Sequence, residues 1–326
     1  MKHEFKVTIF LILLFLASQA VGLLILKSSL VEVVGEDGIR AVVFDEAKVG
    51  EVPQLSGLGF LLYVGIGVGI GTALVLLLVR FKKANWWRAW FFLAVLIAID
   101  YALKTFLNEG VAALIAFILA VWKIYRPNVV VHNSTEVLMY SGIAVFLVPL
   151  LNSVNNAPVL GIAGNVFWAI VLLLIISVYD FIAVFKSRHM VSMAKFQTDS
   201  KVFAGLLIPY SSSEGQAIRK APGVKSAAQK APKDLKLPGL SAPERKNAIL
   251  GGGDIAFPLI FSGTVLYWLA NSMPLQDALM RTFIITATTA VSLTLLFVFA
   301  KKDKFYPAMP ILTAGCLVGY GIILLI

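Results

Sequence analysis

Charge is scarce in this chain. Only 14% of its 326 residues are Asp, Glu, Lys or Arg, where a soluble domain carries about 25%, so a water-soluble fold is excluded. Cysteine is nearly absent: Cys316 stands alone, which rules out an intramolecular disulfide. His3, His132 and His189 are scattered near segment ends and, with one cysteine, form no metal-ligand pattern. No Ser/His or Cys/His pair lies at membrane depth, which leaves no serine or cysteine nucleophile mechanism. Acidic residues number 18 against 28 Lys and Arg, a net charge of +10. That excess follows position along the chain and does not imply nucleic acid.

What the chain has in abundance is apolar length. It is 59% hydrophobic with a mean hydropathy of +0.87, and runs of about 18 or more apolar residues recur, each long enough to cross a bilayer as a helix. The expected fold class is all-α and polytopic, an integral multi-pass membrane protein in contact with the lipid bilayer. Spans are expected near 7–26, 57–79, 86–103, 107–122, 129–151, 159–185, 248–270, 278–300 and 305–326, about nine transmembrane helices. With a cytoplasmic N-terminus, 23 Lys and Arg fall inside and five (Lys27, Arg40, Lys48, Lys104, Arg281) outside. Discounting the long loop still leaves 11 against five, the bias expected of cytoplasmic segments. The C-terminus then lies outside. Lys2, Lys6 and Ser18-Gln19-Ala20 would also suit a cleavable signal peptide. The apolar run continues past that point to Leu26, which favours a retained helix.

Between the sixth and seventh spans the composition changes. Residues 1–185 form an N-terminal six-helix part, 186–247 a basic cytoplasmic loop, and 248–326 a C-terminal three-helix part. The loop carries Ser211-Ser212-Ser213 and spaced Ala-Pro pairs at Pro222, Pro232 and Pro243, too polar to bury a core of its own. Residues 211–246 are expected to be a largely flexible linker.

Two carboxylates stand out because hydrocarbon is a costly place for them. Asp180 lies in LLLIISVYDFIAVF and Asp254 in AILGGGDIAFPLIF. Six residues separate Asp180 from Lys186 and eight separate Lys246 from Asp254, so both lie roughly 9–12 Å below the cytoplasmic boundary. On antiparallel helices they can face each other. Two buried carboxyls coexist most simply by sharing a proton. The ionised one can then take a proton from water while the neutral one hydrogen-bonds a substrate carbonyl.

The flanking residues suit that chemistry. Gly251, Gly252 and Gly253 weaken the helix and clear side chains from around Asp254, and Pro258 cannot donate to the Asp254 carbonyl. Tyr179 suits either a hydrogen bond near the pair or an anchor at an interface, and its depth favours the first. Pro307-Ala308-Met309-Pro310 opens the last span, with two prolines that favour extended backbone there.

Tyr179-Asp180, Gly251-Gly252-Gly253-Asp254 and Pro307-Ala308-Met309-Pro310 resemble, in that order, the YD, GxGD and PAL signatures of the presenilin and signal peptide peptidase family of intramembrane aspartyl proteases. The likeness covers nearly the whole chain and suggests a microbial presenilin-like protein. It implies that Asp180 and Asp254 are the catalytic pair, and that Pro307, Ala308, Met309 and Pro310 shape the site and bind substrate. Met309 stands where the family usually has leucine, a near volume-conserving exchange. The orientation is similar to presenilin, whereas the run from Gly253 to Pro258 is closer to signal peptide peptidase.

The expected function is an aspartic endopeptidase cutting transmembrane protein or peptide substrates. No cofactor, metal or nucleic acid is expected; a homo-oligomer is compatible with the sequence, and no accessory subunit is implied. The alternative is a proton-coupled transporter or cation channel using the same carboxylates, although no repeated half supports it. Gly65, Gly67, Gly69 and Gly71 are expected to form a close helix-packing face. Asp100, Glu109 and Glu136 are expected to reach water at span ends.

Overall fold

Backbone polar groups in lipid must be satisfied within their own segment, and helices do this. The computed structural model describes residues 5–34, 40–81, 83–126, 128–154, 157–187, 202–211, 245–300 and 306–326. Residues 212–244 of the expected linker, and Lys301, Lys302 and Lys304, lie outside the described residues. The first helix, α1, runs Phe5–Ser28 and leads into an antiparallel hairpin of β1 (Leu30–Val34) and β2 (Arg40–Phe44), with Leu30 opposite Phe44. A single turn, α2 (Glu46–Val49), follows. Next come α3 (Gly57–Arg80), α4 (Ala84–Lys104), α5 (Glu109–Tyr125), α6 (Val129–Asn152) and α7 (Gly164–Ile182), the last continuing as a π-helical turn over Ala183–Ser187. A second hairpin, β3 (Gly205–Ser211) with β4 (Arg245–Gly251), precedes α8 (Gly253–Ala270), α9 (Leu275–Phe299) and α10 (Met309–Leu325).

Seven of these helices are long and apolar enough to cross a membrane. At 17 residues each, α5 and α10 are shorter and lie at the lower limit of a span. Ser56, Asn108 and Asn128 begin α3, α5 and α6 by accepting backbone N–H bonds from Gly59, Val111 and Val131, which satisfies donors that every helix start leaves open.

The core forms where α1, α6, α8 and α9 meet. Leu11, Phe15 and Leu23 of α1 are fully buried there, so the first helix is a structural member of the bundle. Small residues let backbones close on each other: a Cβ on Gly142 of α6 would fall 1.6 Å from the Ala98 carbonyl oxygen of α4. The glycines of α3 do not behave this way. A Cβ added at Gly65, Gly67, Gly69 or Gly71 would meet nothing within 4 Å, so the expected close-packing face is open. Gly67 instead lines an apolar cleft of about 720 Å³ between α3, α4 and α6, with Tyr63, Trp90, Ile97 and Phe146.

The seventh apolar segment also differs from expectation. It reads as a span from residue 248, but the helix begins at Gly253 because 245–251 is strand. Ala248 and Leu250 are buried while Ile249 is exposed, the alternation of a pleated strand, and the glycine triplet spans the junction, with Gly251 ending the strand and Gly253 opening the helix. Its partner β3 lies within the 186–247 segment and pairs Gly205 with Gly251 and Leu207 with Ile249.

Candidate active site

Asp180 is the last member of a buried stripe on α7. Ala169, Leu172, Leu173, Ile176, Ser177 and Asp180 are all buried, at the three- and four-residue spacing of one helix face. That face meets α8 and α10, which also pack on each other. Asp180 is 7% exposed, and its Oδ2 accepts a hydrogen bond of 3.1 Å from the backbone N–H of Met309.

The partner of that carboxylate is the start of α10. Ala308, at the cap position, offers no side-chain acceptor to the first turn, so the leading N–H groups look outward for one. Asp180 supplies it from another helix. Pro310, in the first turn, has no N–H to satisfy and is pre-set for helical backbone. One turn further into the bundle, the Ser177 hydroxyl lies 2.7 Å from that of Thr313. Thus α7 and α10 are joined at two levels, through a carboxylate and through a hydroxyl pair.

Asp254 is in the first turn of α8, where the helix end favours a negative charge. Its carboxylate lies over Gly251, with Oδ2 3.1 Å from where a Cβ would stand. Gly252 is closed from the other side: a Cβ there would be 2.8 Å from the Tyr140 hydroxyl of α6. Gly253 would meet only ordinary contacts, at 3.7 Å from Phe257. The triplet therefore has three distinct surroundings. Beyond it, Gln19 of α1 donates at 2.8 Å to the Ile255 carbonyl, bracing the turn just before Pro258.

Several of these groups escape a sequence reading. Tyr140 and Gln19 are buried polar residues in apolar runs and carry no motif. Glu136, expected to reach water, is fully buried and paired with Lys123. Its two oxygens hold the Lys123 ammonium, the Tyr140 hydroxyl and the Gly205 N–H. Depth was the signal available: Glu136 is eight residues past Asn128, as far from the boundary as Asp254. Asp100 pairs with Lys104 at 2.9 Å near the end of α4, and Glu109 is exposed.

Tyr179 points elsewhere than its sequence position suggests. One residue along a helix is a turn of about 100°, and its hydroxyl lies 3.4 Å from that of Thr72 on α3. Pro307, Ala308, Met309 and Pro310 lie beside Asp180, and Gly251, Gly252 and Gly253 beside Asp254. Among the described residues, no cluster of His, Cys, Asp or Glu could hold a metal ion.

Residues 46–326 match the family profile described as signal-peptide peptidase, presenilin aspartyl protease. Among solved structures, that of a presenilin family intramembrane aspartate protease superposes with a TM-score of 0.57 over 97% of each chain, at 16% sequence identity. That likeness is one of fold. No curated protein matches the chain in sequence.

Proposed function

The chain belongs to the signal-peptide peptidase and presenilin family of aspartyl proteases, and from that premise we propose that it hydrolyses peptide bonds of transmembrane helices with Asp180 and Asp254. The observation that carries this reading is the bond from the Met309 amide to the Asp180 carboxylate. It joins two of the three signature segments through the reacting group itself. Asp254 opens α8, which packs against both α7 and α10.

In this mechanism one carboxylate is ionised and removes a proton from water, while the other, neutral, hydrogen-bonds the scissile carbonyl. The water oxygen bonds to the carbonyl carbon, and the resulting tetrahedral species expels the amine with return of the proton. A membrane helix must first unwind, because its carbonyls are already bonded within the helix.

Strand β4 is suited to receive the unwound segment. Gly205 and Leu207 of β3 turn their N–H and C=O groups toward α6. In an antiparallel ladder their opposite numbers turn theirs the other way, so Gly251 and Ile249 present theirs along the outer edge of β4. A peptide adding there pairs by its backbone, three residues from Asp254. The same reading has nine spans, a cytoplasmic N-terminus, an external C-terminus and lateral substrate access from lipid. Its parts are the six-helix 1–185, the basic loop 186–247 and the three-helix 248–326.

The test is cleavage of a labelled transmembrane peptide by purified protein in detergent, with products read by mass spectrometry. Wild type should cut, and Asp180→Ala and Asp254→Ala should not. Equal products from all three would sink the assignment.

A further inference from the structure

We propose that a polar face on α6 fixes the register of the β3–β4 sheet and thereby selects which bond of a substrate is cut. The inference rests on the protease reading above and adds a specificity determinant to it. Sheets of two strands are marginal on their own. This one closes a segment of more than thirty residues between Ser211 and Arg245, and something must hold its pairing in place.

The inner edge of β3 is held by side chains standing in for a third strand. The Asn133 amide bonds Leu207 at both ends, accepting from its N–H at 2.9 Å and donating to its carbonyl at 2.9 Å. Two residues earlier, the Gly205 N–H donates to Glu136 at 2.9 Å, and the Gly205 carbonyl lies 2.8 Å from His132 Nε2. Trp87 of α4 adds a bond of 3.2 Å to the Val202 carbonyl just upstream. Gly205 and Leu207, alternate residues on that edge, are thus each engaged at both N–H and carbonyl.

This clamp is specific to one register. A slip of one residue would turn the backbone groups of Gly205 and Leu207 toward β4 and their side chains to the other face. A slip of two residues in one direction would bring Pro209 opposite Asn133, and proline has no N–H to offer. In the observed register Pro209 is opposite Asn247, where its missing donor faces away from β4 and costs the ladder nothing.

The clamp is also tied to the catalytic end of the sheet. Glu136, which holds Gly205, holds the Tyr140 hydroxyl with the same oxygen, and the Tyr140 ring closes the space at Gly252. Strand height and the Asp254 turn therefore share one set of anchors. A substrate paired with Ile249 and Gly251 is placed relative to Asp254 by that height. A two-residue slip of β4 would move the cut by about 7 Å along the substrate.

The experiment compares wild type with Asn133→Leu, which removes both bonds to Leu207 at similar volume. Asn133→Asp, which keeps only the acceptor, serves as a milder second variant, and Ser134→Ala, exposed on the same helix, as control. Products are located by mass spectrometry, and hydrogen exchange is followed in 205–211 and 245–251. The Asn133 variants should give new products displaced by two residues, with turnover within about tenfold of wild type, and roughly tenfold faster exchange in both strands. Ser134→Ala should match wild type. An unchanged cleavage position in a folded Asn133→Leu protein, or unchanged exchange in the two strands, would overturn the proposal. If wild type itself cuts nothing, the protease reading falls, and the exchange data alone decide whether α6 fixes the sheet.

Discussion

The Asp180 carboxylate caps a helix to which it does not belong: its Oδ2 takes the Met309 N–H at the start of α10. That carboxylate and the first turn of α10 are therefore one structural unit. A hydrogen bond of this kind contributes about 0.5–1.5 kcal/mol net, enough to bias a side-chain rotamer.

Removing that donor should disable the site. Met309→Pro deletes the N–H but also a buried side chain, so Met309→Ala, which loses the side chain and keeps the N–H, is its matched comparison. Cleavage per folded protein should fall about 10–100-fold further in Met309→Pro than in Met309→Ala, whereas Met309→Leu should stay near wild type. A full-rate Met309→Pro enzyme would show that the bond is incidental.

The glycine triplet should respond unevenly to alanine. Gly252→Ala drives a methyl to 2.8 Å from the Tyr140 hydroxyl, which Glu136 holds in place, and should cost about 1–3 kcal/mol. Gly253→Ala meets only ordinary contacts and should be neutral or stabilising by a few tenths of a kcal/mol or more. Thermal unfolding in detergent, with cleavage alongside, separates the two. Equal effects would contradict the geometry.

The buried Lys123–Glu136 pair should behave as a unit. Lys123→Met leaves a fully buried carboxylate without its cation and should cost about 3–5 kcal/mol. Adding Glu136→Gln should restore much of that stability, giving a strong coupling in a double-mutant cycle. Additive losses would mean that the two charges act separately.

The first helix should resist removal. Processing after Ala20 would leave α1 with neither its buried Leu11 and Phe15 nor Gln19, which braces Ile255. Intact-mass measurement should find α1 retained, and a chain starting at residue 21 should fail to fold. Gln19→Leu, retaining the helix, should cost only about 1 kcal/mol.

Both aspartates and their flanking motifs were legible in the sequence because each violates the chemistry of its surroundings. A carboxylate within an apolar run, three consecutive glycines and two close prolines are local signals. The second hairpin was not legible, for its strands are brought together across a long intervening segment and stabilised by Asn133, Glu136 and His132 from a distant helix. The short alternation of Ala248, Ile249 and Leu250 was hidden at the edge of what looks like a continuous apolar span. Glu136 was misplaced for a related reason: a charge near a span end normally reaches water, and although its depth spoke against that, only packing reveals Lys123 as its partner. The α3 glycines misled in the opposite sense, since close packing needs a partner and none lies within reach of them among the described residues.

The brace between Gln19 and Ile255 links positions 236 apart, and this has a temporal meaning for a chain made from one end. At a synthesis rate of about 5–20 residues per second, roughly 10–50 s separate the emergence of those two residues. Asp180 waits in the same way for Met309, 129 positions later. Any nascent chain that stops short of Met309 therefore carries the Asp180 carboxylate in the membrane without that backbone donor.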